Sequence, residues 1–322
     1  MTQPARPEDA IATIERVVGT KPGFRRAHAR GLVLRGSFQA NPEARGLSVA
    51  EHLQGGAVPC LVRFSNASGN PCAPDYNSPT EGRVLGMAIK FELPSGKAAT
   101  WAGVNIPAFP ARTPEEFIKF TAAQKPGSGG KPSILRIAWH VIRHLHLLTS
   151  IKHIKALKPA GSFAMETYHG IHTYYFVDGT GARKPFRYQW VPRMEQVTPG
   201  ADKVKGMPGQ YLLNEIRTRL EKGPVSWDLV VQFPESGDAL DDASVAWPET
   251  RPKATLGRLT LSKVHEDQKS VEGTVFDPTG VVPGIELSDD PLLRFRSQAY
   301  GVSFDRRSKE TRGEPAPADM AQ

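Results

Sequence analysis

Two residues in the last part of the chain have side chains and a spacing that suit iron binding. Arg296 and Tyr300 lie four positions apart, and on a helix side chains at that spacing share a face. A guanidinium beside a phenol favours the phenolate, because the arginine keeps its proton and stabilises the anion. A phenolate is a strong donor that suits ferric iron. The spacing alone equally fits an ordinary surface contact, so it needs support from the surrounding sequence.

Two histidines have a spacing that metal sites also use. His140 and His144 are four apart, which suits zinc. No glutamate stands beside them, and both fall on the polar stripe of a helix predicted at 134–157, so the pattern favours a solvated helix face. The same helix is basic and amphipathic, which is compatible with a membrane surface or an acidic partner, although docking on the rest of the fold is the simpler interpretation.

The composition is that of an ordinary globular chain. Its 322 residues are 39% hydrophobic and 23% charged, which is enough to form one large core or two smaller ones. The net charge is +8, but Lys and Arg are spread along the chain rather than packed in one run, and this disfavours nucleic-acid binding. Two cysteines, Cys60 and Cys72, are too few for a disulfide framework, so we expect free, buried thiols.

The amino-terminal sequence and the hydropathy pattern bear on location. The first 19 residues include Glu8, Asp9 and Glu15 and have no apolar core of a signal peptide. No stretch approaches the roughly 18 apolar residues of a membrane span. We therefore expect a cytoplasmic protein without a membrane span, and a periplasmic one only if a leader has been removed.

Local patterns predict one α+β domain that is rich in antiparallel strands. Helices are expected at 8–18, in a short segment opened by Ser48, from Thr113 onward, at 134–157, at 209–222, and from Ser288 to about Tyr300. Strands are expected at 28–39, 59–66, 86–93, 172–178, 185–191, 226–233 and 257–264. We assign 1–22 to a helical extension, 23–307 to the domain and 308–322 to a disordered tail.

The segment around Arg296 and Tyr300 resembles the proximal haem segment of catalases. In that family a Pro-Gly-Ile-Glu-x-Ser loop leads into a helix that ends Arg-x-x-x-Tyr, and here 283–288 and then Arg296 and Tyr300 match. Other family motifs follow the same order along the chain: FRRAHARG (24–31), VRFSNASG (62–69), GMAIKF (86–91), RTPEEF (112–117), GIHTYYFVD (170–178), VAWP (245–248) and GRLTL (257–261). The resemblance therefore covers about residues 23–307.

This resemblance implies a fold, a cofactor and a reactive centre. The fold is an antiparallel β-barrel of the catalase type with surrounding helices, lacking the C-terminal helical domain of full catalases. The cofactor is haem b (iron protoporphyrin IX), with Tyr300 as the iron ligand and Arg296 beside it. His28 matches the distal histidine, a general acid–base that moves a proton on bound H2O2. Ser65 matches the serine that hydrogen-bonds near that histidine.

Three arginines match positions that hold the haem propionates in the family. They are Arg25, Arg63 and Arg307, and three cations that converge on two carboxylates are a sound way to fix a haem. Arg30 and Arg306 stand close enough in the sequence to exchange roles with them.

The aromatic and amide positions of the family match less completely. Phe109 and Phe117 match aromatic residues of the haem pocket, and ordinary core packing is an equally good explanation for both. The distal asparagine of the family aligns with Val104, while Asn105 is one place along and is kept as a catalytic candidate. Loss of that asparagine predicts weak catalase activity.

The short chain resembles the catalase-related peroxidases, the minimal members of the superfamily. We expect a haem-dependent peroxidase that reduces H2O2, and organic peroxides, with small organic donors. One alternative is an enzyme that rearranges fatty-acid hydroperoxides, like allene oxide synthases; those relatives have a threonine before the distal histidine, where this chain has Ala27. The other is a non-catalytic haem-binding barrel. The expected partners are peroxide and reductants, not nucleic acid, and the expected assembly is a monomer or homodimer.

Overall fold

The computed structural model describes residues 4–75, 83–125 and 133–312. Nine strands in these ranges form one sheet: β1 (Gly31–Ala40), β2 (Ala57–Asn66), β3 (Leu85–Glu92), β4 (Ala98–Val104), β5 (Tyr168–Val177), β6 (Arg183–Pro192), β7 (Val225–Gln232), β8 (Lys253–Val264) and β9 (Ile285–Leu287). The helices are α1 (Pro7–Val18), α2 (Pro114–Ala123), α3 (Ile134–Arg143), α4 (Leu147–Ala156), α5 (Ala201–Lys205), α6 (Tyr211–Lys222), α7 (Gln268–Glu272) and α8 (Pro291–Thr311).

The sheet closes on itself into an eight-stranded antiparallel barrel. Its order is β4-β3-β2-β1-β8-β7-β6-β5, and a pairing between β4 and β5 joins the two ends, with β9 added beside β5. The closing pair is Val104 with His169. Closure leaves no free edge along the barrel wall. The predicted α+β fold with an antiparallel barrel is confirmed.

Aromatic side chains fill the interior of the barrel. Trp190, Trp227, Tyr168 and Phe38 are fully buried, and the rings of Phe38 and Trp190 meet edge to face with centroids 5.7 Å apart. Large rings close the wide interior of an eight-stranded barrel with few side chains. The interior is therefore a packed core, and a ligand site has to lie outside it.

Helix α8 starts later and runs further than the sequence patterns predict. Asp290 is its N-cap, accepting a hydrogen bond from the Leu292 amide at 2.9 Å, so the prediction of Ser288 as the first residue is wrong. Pro291 explains the shift, because proline suits the first helical position and disfavours helical geometry in the residue before it. The helix continues to Thr311, so 308–311 of the predicted tail are helical, and 313–322 lie outside the described residues.

The predicted single helix at 134–157 is two helices, α3 and α4. His144 leaves helical geometry with φ −134° and ψ 63°, and α4 begins after His146. Glu116 holds this junction, since its carboxylate lies 3.3 Å from His144 Nδ1 and 3.1 Å from His146 Nε2. The apolar face of α3 is exposed rather than docked on the barrel, which contradicts the simpler interpretation of its sequence.

Three smaller expectations also need correction. Ser48 opens no α-helix: its hydroxyl donates to the Gly284 carbonyl at 2.7 Å, and only a short 3-10 turn follows. Strand β4 was not predicted, because its Ala- and Gly-rich sequence has low strand propensity and its place is set by pairing with β3. Cys60 is buried as expected, whereas Cys72 is exposed.

Among the described residues no helix is both long enough and apolar enough to cross a membrane.

We predict that a buried histidine makes the fold sensitive to acid. His52 is fully buried, stacks on Phe91 with ring centroids 4.9 Å apart, and has no partner for either ring nitrogen among the described residues. Burial lowers its pKa to about 3. The unfolded chain, with a histidine pKa of about 6.5, therefore binds the proton first as the pH falls, so stability declines between those two values.

The substitution His52→Phe removes this proton-linked loss. Between about pH 8 and pH 5 the wild type should lose about 2 kcal/mol of its free energy of unfolding through His52, and the variant should not show this loss. Urea unfolding of both proteins at both pH values measures these free energies. If the difference between variant and wild type is the same at the two pH values, the prediction is wrong.

Candidate active site

A continuous chain of hydrogen bonds runs along one side of α8 to Tyr300. Arg296 donates from Nη2 to the Tyr300 hydroxyl oxygen at 2.6 Å. Its Nη1 lies 2.9 Å from His172 Nε2. His172 Nδ1 lies 2.7 Å from Asp290 Oδ2. The spacing of four that first singled out Arg296 and Tyr300 is thus a direct contact.

The partners in this chain define the state of His172. Asp290 accepts, so Nδ1 of His172 carries the hydrogen and Nε2 offers its lone pair to Arg296. Burial lowers the pKa of His172, and Arg296 lowers it further against the opposing effect of Asp290. The ring is therefore neutral. Although burial opposes it, the interactions with Tyr300 raise the pKa of Arg296, which keeps a fixed positive charge against the phenol oxygen.

His28 stands on a second surface, over the face of the barrel wall. Its Nδ1 lies 2.9 Å from Ser65 Oγ, and its backbone carbonyl accepts from Arg63 Nη2 at 3.0 Å. Its φ of 53° is the one positive value for a non-glycine residue in the described ranges. The chain turns here before it enters β1, which begins at Gly31 and not at residue 28 as predicted, and this turn places the ring beside Ser65 of β2 and Gly86 of β3.

Gly86 makes room for the His28 ring. A Cβ built there would lie 2.9 Å from His28 Cε1 and 3.0 Å from Nδ1, which is closer than real contacts allow. Burial lowers the pKa of His28 to about 3, with smaller contributions from Arg63, Arg296 and Arg25. The ring is therefore neutral at neutral pH. Ser65 engages Nδ1, so Nε2 can accept a proton in the tautomer in which Nδ1 donates to Ser65.

Val104, and not Asn105, shares the face of the sheet with His28. Gly86 pairs with Ser65 on one side and with Val104 on the other, and paired residues point to the same side. The Asn105 side chain accepts from the Leu85 amide at 2.8 Å and donates to the Arg83 carbonyl at 3.0 Å and to Glu166 at 3.2 Å. These contacts give Asn105 an anchoring role and do not fit the prediction that it is catalytic.

Three of the predicted arginines converge beside the site. Arg25 and Arg307 both bind Glu272, whose backbone carbonyl accepts from Arg25 at 2.8 Å and from Arg307 at 3.0 Å. Burial, together with the charges of Arg25 and Arg307 and against the opposing effect of Glu272, lowers the pKa of Arg63 to about 9. Arg63 is 4% exposed and its Nε has no partner among the described residues. The cluster thus carries more buried positive charge than Glu272 balances, which fits a ligand with two carboxylates.

The two neighbouring arginines that were considered as substitutes bind elsewhere. Arg30 Nη2 lies 2.6 Å from Asp75 Oδ1, and Arg306 pairs with Glu15 of α1. Neither contact involves Glu272, so the structure separates the cluster of Arg25, Arg63 and Arg307 from its neighbours.

Phe109 and Phe117 lie together near the same end of the barrel. Their ring centroids are 5.7 Å apart, and both, like Val104, pack against a buried cluster that includes Leu292 of α8. Apolar side chains of the His28 face and of the Tyr300 helix therefore meet in one cluster. Such a surface suits the flat, apolar ring of a porphyrin, and it is also compatible with ordinary packing.

Charged groups connect the His28 and Tyr300 surfaces. Arg296, which donates to Tyr300, also lowers the pKa of His28. Conversely, Tyr300 acts on the pKa values of Arg25 and Arg63. The two predicted reactive side chains thus belong to one electrostatic neighbourhood, although 272 positions separate them in the sequence.

Sequence reasoning missed three residues of this neighbourhood. His172 lies in the GIHTYYFVD motif, where the resemblance gives it no role, and the 118 positions between it and Asp290 leave no spacing signal. Glu272 lies in the short helix α7, outside every motif. The only signal in the sequence was residue type: three arginines that meet in the fold need an acidic side chain beside them.

Comparison with known proteins gives a family and two similar chains. The family model described as Catalase matches residues 13–310. The Catalase-related peroxidase of Mycolicibacterium paratuberculosis is 37% identical over 313 residues, which cover 97% of this chain and 97% of that protein. The Catalase-related peroxidase of Synechococcus elongatus is 31% identical over 305 residues, covering 94% of this chain and 89% of that protein.

Solved structures of catalases share the fold. A bacterial catalase superposes with a TM-score of 0.79 at 23% identity, covering 94% of this chain and 61% of that chain. Catalase A from Saccharomyces cerevisiae gives 0.78 at 20% identity, covering 89% of this chain and 62% of that chain. This chain therefore spans about three fifths of those two catalases.

We predict that Gly86→Ala displaces His28 from Ser65. The added methyl group cannot share space with the ring, so the hydrogen bond at Nδ1 should lengthen beyond 3.5 Å or break. Gly56→Ala is the matched control, because a Cβ at Gly56 meets nothing within 4 Å. Crystal structures of the two variants measure the distance, and an unmoved His28 in Gly86→Ala would show that the glycine is not required.

Proposed function

This chain belongs to the catalase family, and we propose that it is a haem-dependent peroxidase that reduces hydrogen peroxide with small organic electron donors. Proteins of this family are haem enzymes, and for this chain we propose haem b. The observation that carries the proposal is the 2.6 Å hydrogen bond from Arg296 to the Tyr300 oxygen, in the same electrostatic neighbourhood as a neutral His28.

The side chains that would hold the cofactor follow from their chemistry. Tyr300 would be the iron ligand, and the fixed charge of the Arg296 guanidinium would stabilise negative charge on its coordinated oxygen. Arg25, Arg63 and Arg307 would bind the two propionates, whose negative charges would balance the cluster and give a partner to Arg63 Nε. Bound haem supplies a redox-active iron at which peroxide is reduced.

On the distal side, His28 moves a proton from one peroxide oxygen to the other. With haem bound, the neutral ring would accept the proton of one peroxide oxygen at Nε2 and deliver it to the other oxygen, which would leave as water. The hydrogen bond with Ser65 and the contact with Gly86 hold the ring in place. Organic donors then supply two electrons and two protons, so that one peroxide yields two water molecules.

On the Tyr300 side, Arg296 donates a hydrogen bond to the phenol oxygen and would stabilise negative charge there when iron is bound. Its second hydrogen bond, to His172, fixes the orientation of the guanidinium plane, and Asp290 fixes the tautomer of His172. These three residues do not touch peroxide and act through Tyr300.

The residue at position 104 bears on the fate of peroxide. Val104 presents an apolar side chain to the His28 face and has no group that could donate a hydrogen bond to a second peroxide. This supports a reaction in which organic donors, rather than a second peroxide molecule, supply the two electrons that complete the reaction. We propose weak catalase activity for this reason.

We further propose that 23–307 form the haem-binding unit and that the protein works in the cytoplasm as a monomer or homodimer. Organic peroxides are proposed as additional substrates, because the Phe109–Phe117 cluster provides an apolar approach to the His28 face.

The first test uses the purified holoprotein. We expect the visible spectrum of a high-spin ferric haem with a tyrosinate ligand and H2O2-dependent oxidation of a common peroxidase donor. His28→Gln should keep the spectrum and slow the reaction with peroxide by about 10²–10⁴-fold. Tyr300→Phe should lose the tyrosinate spectrum. A fully loaded wild type that oxidises no donor, or a His28→Gln variant with full activity, would disprove the proposal.

The second test concerns the balance of the two activities. Val104→Asn introduces an amide on the His28 face and should raise oxygen evolution relative to donor oxidation. Val104→Ile, which stays apolar, is the control. Both rates are measured on one sample of each variant with H2O2, and an unchanged ratio in Val104→Asn would show that position 104 does not govern this choice.

A further inference from the structure

The longest stretch of this chain without an acidic residue is basic. Residues 117–165 contain eight Lys and Arg and no Asp or Glu. The whole chain has 41 basic and 33 acidic residues, so the remainder holds 33 of each and is neutral. A shorter stretch, 16–42, also lacks acidic residues and holds six Lys and Arg, but its Arg25, Arg26 and Arg30 form ion pairs with acids from other parts of the chain. The full net charge of +8 thus belongs to the stretch that contains α3 and α4.

The same stretch exposes a row of large apolar side chains. Leu135, Trp139 and Ile142 are 82%, 58% and 63% exposed, and their spacing of four and three places them on one face of α3. Leu145 and Leu148 extend the row, with 63% and 51% exposed. We call these five residues the apolar ridge. Single exposed apolar residues are common on proteins, but a contiguous row of this kind marks a contact surface.

The two helices hold the apolar ridge in a defined place. Glu116 of α2 binds the junction between α3 and α4 through His144 and His146. The opposite face of α4 is docked on the protein, where Ser150 Oγ donates to the Phe109 carbonyl at 2.9 Å. These polar and buried contacts attach the two helices to the rest of the fold. The apolar ridge is therefore exposed on a docked part of the structure.

Cations border the apolar ridge. Arg136, Arg143, Lys152 and Lys155 are exposed, and the Arg143 guanidinium lies over the Trp139 ring at 4.5 Å. A helix with Trp and Leu on one face and Lys and Arg beside them lies in the plane of an anionic bilayer surface, with its apolar face among the acyl chains. Tryptophan suits this boundary because its ring is apolar and its N–H is polar.

We propose that α3 and α4 dock this protein on an anionic lipid bilayer, with the apolar ridge inserted at the interface. Charge selects this occupant over a second copy of the chain, because a symmetric dimer through the ridge would bring two surfaces of the same sign together. The apolar ridge selects it over an acidic protein or nucleic acid bound by charge alone. This inference does not depend on the proposed peroxidase activity.

The test is co-sedimentation of the holoprotein with vesicles. Vesicles of phosphatidylglycerol and phosphatidylcholine should bind the wild type, and vesicles of phosphatidylcholine alone should bind it at least about tenfold more weakly. Added salt should weaken the binding. Trp139 provides a second signal, because the other four tryptophans are at most 5% exposed; its emission should shift to shorter wavelength on binding, and Trp139→Phe should abolish the shift.

Two pairs of variants separate location from overall charge and hydrophobicity. Lys152→Glu with Lys155→Glu should weaken vesicle binding about tenfold or more, while Lys97→Glu with Lys222→Glu, exposed lysines elsewhere, makes the same change in net charge and should leave it intact. Leu135→Ser with Ile142→Ser should abolish binding, while Val49→Ser with Val197→Ser should not.

Three results would overturn the proposal. The first is failure of the wild type to bind the anionic vesicles. The second is equal weakening by the two lysine pairs, which would indicate attraction without a site. The third is a dimer, detected by sedimentation velocity without lipid, that Leu135→Ser with Ile142→Ser converts to monomer, which would assign the apolar ridge to a second copy.

Discussion

The position of Arg296 between two acceptors is the interaction on which the site depends. A buried guanidinium is tolerated only when its donors are used, and here one side of the fork meets the Tyr300 oxygen and the other meets His172. Asp290 completes the chain while it caps the helix that carries Tyr300. The same carboxylate thus caps α8 and, through His172, orients the guanidinium that donates to Tyr300.

The distal surface is organised by close packing rather than by charge. Gly86 and the left-handed turn at His28 bring its imidazole against the barrel wall, and Ser65 forms a hydrogen bond with one of the ring nitrogens. The pKa of that imidazole is low mainly because of burial. The packing of the wall therefore keeps this ring neutral at neutral pH.

The sequence was sufficient for the barrel, for the Arg296–Tyr300 contact and for the grouping of Arg25, Arg63 and Arg307, because motifs or a helical spacing carry each of them. It was insufficient for Asp290, His172 and Glu272, whose contacts arise only when distant elements meet. The break between α3 and α4 was also missed, because the amphipathic pattern continues through His144 and only the contacts of Glu116 interrupt it. Both Ser288 and Asp290 can cap a helix, and Pro291 decides between them.

One consequence of the length of α8 concerns its tolerance of changes in chain length. Arg296, Tyr300 and Arg307 stand on one continuous helix, and at about 100° per residue all three point within an arc of roughly 40°. Removing or adding a single residue between any two of them would rotate one group by more than a quarter of a turn away from the others. Substitutions in this stretch therefore preserve the shared face, whereas a change in length between Arg296 and Arg307 destroys it.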